Sequence, residues 1–140
     1  MGILSDIFVA KPADAAKYED HMNSETGDKL YEVASYKNLT PLEFGTLWAI
    51  LEGRPYDDKK HGLLEVKPTE ESWLYRFPSE YVQLLANLTP GKIEAASVPW
   101  AATEEISGEA SDMAEVIVEV SKLARHALLP GKGLFLWNCL

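Results

Sequence analysis

The residues with the most chemical promise lie between Trp100 and Glu105, in the run Trp-Ala-Ala-Thr-Glu-Glu. Trp100, Thr103 and Glu104 share one face if a helix continues through them, because three- and four-residue steps bring helical side chains together. Glu104 and Glu105 are adjacent and point about 100° apart on a regular helix, so one ligand there meets only one of them. A carboxyl group held against an indole has its pKa raised, and such a group can act as a general acid. Trp100, Thr103, Glu104 and Glu105 are therefore the candidate ligand or partner site. The simpler alternative is a solvated acidic surface. Between Lys92 and Lys122 the chain carries Glu94, Glu104, Glu105, Glu109, Asp112, Glu115 and Glu119, with no Lys or Arg among them.

Other chemistries lack their residues. There is no Gly-x-Ser-x-Gly elbow and no Gly-x-Gly-x-x-Gly loop. Gly-Lys occurs at Gly91 and Gly131, but Ala86 and His126 stand where a phosphate loop needs its first glycine. The histidines His21, His61 and His126 form no i, i+4 pair, and Cys139 is the one cysteine. No metal site and no cofactor is predicted from these spacings. His61 is expected in an exposed charged loop, and His126 near a helix C-terminus, where positive charge is favourable. Cys139 is expected to pack as a small hydrophobe.

Composition narrows the function classes. Twenty-two acids against 13 bases give 140 residues a net charge of −9. This argues against a nucleic-acid partner, which requires clustered Lys and Arg. No apolar run reaches the roughly 18 residues of a bilayer-spanning helix, so no membrane partner is expected. The first residues lack a basic n-region and are broken by Asp6, which makes a poor signal peptide. A single cysteine permits no internal disulfide and suits a reducing cytoplasm.

The elements that must position these residues follow from periodicity. Ile3 to Ala10 reads as a strand. Pro12 opens a short helix over Ala13 to Met22, and Asn23 to Asp28 is a polar loop. Leu30, Tyr31, Val33 and Tyr36 suggest an irregular strand. Two Asn-Leu-Thr-Pro units, at Asn38 and Asn87, place a capping Thr before a first-turn Pro, and each predicts a helix start. After the first, Glu43 completes a capping box. Phe44, Leu47, Trp48 and Leu51 then form one apolar stripe, ended by Gly53. Leu63 to Val66 and Trp73 to Phe77 read as a hairpin joined by Lys67 to Ser72. Ser79 opens a helix with Tyr81, Leu84, Leu85 and Leu88 on one face. The helix after Pro90 is expected to kink or break near Ala95 to Pro99. Asp112 and Glu115 suggest another capping box before a helix over Met113 to Leu128. Its face of Met113, Val116, Ile117, Val120, Leu123, Ala124 and Ala127 must cover something apolar. Leu134 to Leu140 is almost continuously apolar and reads as a strand buried on both faces.

Four segments carry a resemblance. Met-Gly-Ile-Leu at the start, Leu-Glu-Phe-Gly-Thr-Leu-Trp-Ala-Ile-Leu-Glu-Gly, Trp-Ala-Ala-Thr-Glu-Glu and the closing Gly-Lys-Gly-Leu-Phe-Leu-Trp-Asn-Cys-Leu together resemble a group of small bacterial proteins of uncharacterised function. The likeness spans essentially the whole chain. In element order the chain also resembles the YfbM-like proteins, which place a Leu-rich helix before a Gly and a long helix before a final apolar strand. The resemblance implies a bacterial, cytosolic protein of α+β fold and supplies no catalytic residue.

The expectation is one α+β domain over residues 1–140, with a mixed sheet of four to five strands. The sheet includes both termini and is covered by about five helices. The expected function is a small, acidic, non-enzymatic binding or interaction protein whose partner is a protein or a small molecule. One alternative is a small enzyme, such as a hydrolase, using Glu104 or Glu105 beside Trp100. Another is a toxin-neutralising protein.

Overall fold

The computed structural model describes residues 2–18, 32–68, 71–104 and 106–140. Among them the elements run β1 (Leu4–Ala10), α1 (Pro12–Ala15), β2 (Glu32–Lys37), α2 (Pro41–Glu52), β3 (Leu64–Pro68), β4 (Ser72–Arg76), α3 (Ser79–Ala86), α4 (Pro90–Ala101), α5 (Ala110–Ala127) and β5 (Gly133–Cys139). The strands form one five-stranded sheet in the order β2-β1-β5-β4-β3. The fold is α+β, with both terminal strands inside the sheet. Every pairing is antiparallel, so the expected mixed sheet is corrected to an antiparallel one.

The apolar C-terminal run becomes the central strand. β5 lies between β1 and β4, and Gly133 to Asn138 are all buried. Alternate side chains serve two cores, as the period of two requires. Ile7, Val9, Leu134 and Leu136 face the main core with α2, α3, α4 and α5. Phe8, Ala10, Leu74, Phe135 and Trp137 form a second core with Ala15 and Tyr18. There Phe8 stacks on Tyr18 at 4.0 Å between ring centroids, and the Tyr18 hydroxyl donates to Asp6 Oδ2 at 2.7 Å. Cys139, at the end of β5, is half-buried rather than interior.

The two Asn-Leu-Thr-Pro units do open helices. Thr40 is the N-cap of α2 and Pro41 its first residue; Thr89 and Pro90 repeat this at α4. Glu43 reaches back to accept the Thr40 backbone N–H at 3.1 Å and the Thr40 hydroxyl at 3.0 Å. Gly53 closes α2 with a left-handed φ of 68°, and Arg54 N–H returns to the Ala49 carbonyl at 3.1 Å. That geometry favours glycine, which has no Cβ to clash.

Three local expectations change. α4 runs unbroken from Pro90 to Ala101 with Pro99 inside it. Pro99 removes one ladder donor near the helix end, but burial of Ile93, Ala96 and Trp100 holds the helix against that loss. α5 starts at Ala110 with Glu109 as N-cap, so Asp112 is a first-turn acid rather than a cap. α1 covers Pro12 to Ala15; the remainder of the expected helix beyond Tyr18 and the Asn23 to Asp28 loop lie outside the described residues.

Candidate functional site

Among the described residues, the end of α2 and the loop after it bring aromatic, cationic and carboxylate side chains to one surface. Arg54, Pro55, Tyr56, Asp57, Asp58, Lys60 and His61 line an open pocket of ≈ 660 Å³. His61 is at its inner wall and only 1% exposed, which corrects the expectation of an exposed loop histidine. Its ring meets Trp48 edge-on at 5.3 Å and stacks with Tyr56 at 6.0 Å.

Both ring nitrogens of His61 are engaged. The backbone N–H of Asp57 donates to Nδ1 at 3.0 Å. A backbone amide can only donate, so Nδ1 carries the lone pair and Nε2 carries the proton. Nε2 then donates to Glu52 Oε1 at 2.7 Å. Lys60 Nζ meets the same oxygen at 3.3 Å. The hydrogen bond from His61 holds the Glu52 carboxyl below its ordinary pKa, against the opposing effect of burial and with help from Lys60.

Gly45 explains how the loop comes so close to α2. A Cβ at position 45 would stand 2.6 Å from the His61 carbonyl oxygen and 2.9 Å from Tyr56 Cε1. Only a residue without a side chain lets backbone and helix touch there. Glycine inside a helix costs about 1 kcal/mol relative to alanine. A glycine inside an otherwise strong helix is a sequence signal for this close approach, and the apolar period of α2 does not contain it.

Of the residues singled out from sequence, Trp100, Thr103 and Glu104 lie outside the lining of this pocket. Trp100 is fully buried, with its indole 6.1 Å from Phe44 between ring centroids. Its Nε1 donates to the Glu43 carbonyl at 2.9 Å. Thr103 follows the end of α4, half-buried, and its hydroxyl donates to the Trp100 carbonyl at 2.7 Å. Glu104 is exposed in the following turn, and Glu105 lies outside the described residues. Of the other acids between Lys92 and Lys122, Glu94, Glu109, Asp112, Glu115 and Glu119 are also exposed. His126 is half-exposed in the last turn of α5 and pairs with Glu32 on β2; His21 lies outside the described residues.

Among the described residues no group of three or more His, Cys, Asp or Glu is placed to hold a metal ion. None of the described helices is long and apolar enough to cross a membrane. No family model, curated protein or solved structure matches the chain.

Proposed function

We propose that the protein is a non-enzymatic binding protein of the cytoplasm and that the pocket beside His61 is its ligand seat. One observation carries this. His61 has both ring nitrogens engaged, one by the Asp57 amide and one by Glu52, so it braces the pocket wall and offers no lone pair to a substrate proton. A wall held this way is preorganised, which reduces the ordering cost of binding.

The lining sets the class of ligand. Tyr56 is 40% exposed and offers an aromatic face, Arg54 and Lys60 offer cationic donors, and Asp57 and Asp58 offer acceptors. A small polar molecule with a planar group and charges of both signs fits this set.

The test is a titration of small planar polar compounds into isotope-labelled protein, followed by NMR. Binding compounds should move the amide signals of Tyr56 to His61 and be recovered unchanged. A compound chemically converted by the wild type but not by His61→Phe would overturn the proposal and make the site catalytic.

A further inference from the structure

The sheet has two edges, and they differ. β3 ends one side, where its pairing with β4 shifts register between Glu65 and Lys67 and reaches Pro68. A bulge and a proline are two devices that stop a further strand from adding to an edge. β2 ends the other side and has neither. Its six residues pair with β1 in unbroken register, from Leu4 opposite Lys37 to Val9 opposite Glu32.

The register shows which groups of β2 face outward. Asn38 N–H donates to the Ile3 carbonyl at 2.7 Å, continuing the β1–β2 ladder by one position. Hydrogen-bonded pairs alternate along an antiparallel ladder. Tyr36, Ala34 and Glu32 therefore bond to β1, and Val33, Ser35 and Lys37 turn their N–H and C=O away from the sheet. All three are exposed.

An acidic wall stands beside this edge. Tyr36 and, from α5, Ala114, Glu115, Val118 and Glu119 line a groove of ≈ 560 Å³. Val118 is 48% exposed and supplies an apolar floor. Burial and then the charges of Glu119 and Glu115 push the Tyr36 phenol up to about 12, so the groove disfavours a further negative charge.

We propose that the edge of β2, on which no other described strand is paired, accepts an extended segment of a partner protein as a sixth strand, with lysine or arginine alternating with aliphatic residues. Its backbone pairs with Val33, Ser35 and Lys37. Its alternate side chains lie over Val118, Glu115 and Glu119. The acidity of the groove selects a basic segment. It also disfavours a second copy of this chain, whose own β2 edge would bring a second pair of glutamates and a net charge of −9. This surface is separate from the His61 pocket and independent of that assignment.

The experiment uses a capped seven-residue peptide alternating lysine and valine, titrated into the isotope-labelled full chain at low salt. The amides of Val33, Ser35 and Lys37 should shift most and exchange more slowly with solvent. The same peptide with glutamate in place of lysine should not bind. Glu115→Gln with Glu119→Gln should weaken binding roughly five- to tenfold, the scale of two exposed charge contacts. Ser35→Pro removes an outward donor without touching the β1 ladder and should weaken binding at least as much. If that variant fails to fold, a peptide N-methylated on the amides facing β2 makes the same test on the wild type, and it should not bind. The proposal is overturned by any of three results. One is the absence of saturable shifts at millimolar peptide. Another is full affinity of the N-methylated peptide, which leaves a charge contact without strand addition. The third is a wild-type dimer in sedimentation that Ser35→Pro converts to monomer, which makes a second copy the occupant.

Discussion

The indole N–H of Trp100, at the end of α4, donates at 2.9 Å to the backbone carbonyl of Glu43, in the first turn of α2. The same Glu43 uses its carboxylate to hold Thr40 at the helix start. One residue thus caps its own helix with its side chain and anchors a second helix with its backbone. Removing a buried hydrogen-bond partner costs more than the bond's net worth, because the group left behind stays desolvated.

Trp100→Phe keeps most of the ring and loses the N–H. The expected loss is about 1–2 kcal/mol by urea unfolding. Trp100→Ala opens a cavity as well and should lose about 3–5 kcal/mol. An unchanged midpoint in Trp100→Phe would show that the bond to Glu43 contributes nothing.

Gly45→Ala tests the seat of the pocket loop. The added methyl meets backbone, which cannot swing aside as a flexible side chain can. Helix propensity favours the substitution by about 1 kcal/mol, but overpacking costs about 1–3 kcal/mol. The expected net result is destabilisation, with amide shifts in Tyr56 to His61. A rise in melting temperature would show that the loop gives way at no cost.

The Glu52 carboxyl has a folded pKa below its unfolded value. Its contribution is present above the unfolded pKa and is lost as pH falls through the folded one. Stability should therefore fall on acidification below the ordinary carboxylate range, and Glu52→Gln should flatten that part of the curve. Unfolding midpoints from neutral pH to about pH 3 measure this. Parallel curves for the two proteins would remove Glu52 from the account.

Tyr36 behaves in the opposite sense. Its folded pKa is raised to about 12, first by burial and then by Glu119 and Glu115. The neutral phenol contributes stability that is whole below the unfolded value of about 10 and is lost as pH rises toward 12. The phenolate absorbance of Tyr36, isolated by difference against Tyr36→Phe, should appear near 12. In Glu115→Gln with Glu119→Gln it should move down, yet stay above 10 because burial remains. A midpoint of 10 in the wild type would show an open, solvated phenol.

A chain ending at Lys132 loses β5, including Leu134 and Leu136 at 0% exposure and Phe135 at 1%. Each large apolar side chain removed from the core costs about 1.5–3 kcal/mol, and β1 and β4 lose their shared partner. No cooperative melting transition is expected by circular dichroism. A cooperative transition in the truncated chain would contradict the central placement of β5.

The amino-acid sequence alone determined the elements whose cause is local. The Thr-Pro helix starts, the stop at Gly53, the apolar face of α5 and the doubly buried final strand all arise within a few residues, where capping, backbone geometry and period act directly. What only tertiary structure decided is where long-range contacts compete. The charged surroundings of His61 suggested solvent, yet Gly45, 16 residues earlier in the sequence, opened the space that buries it against Trp48. Trp100 had a helical position readable from spacing, but its partner, the Glu43 carbonyl 57 residues away, is set by how α4 crosses α2. The direction of each strand and the place of β2 at the end of the described sheet likewise follow from chain reversals and packing that no local window contains. Periodicity reports which face of an element avoids water; it does not report which other element covers that face.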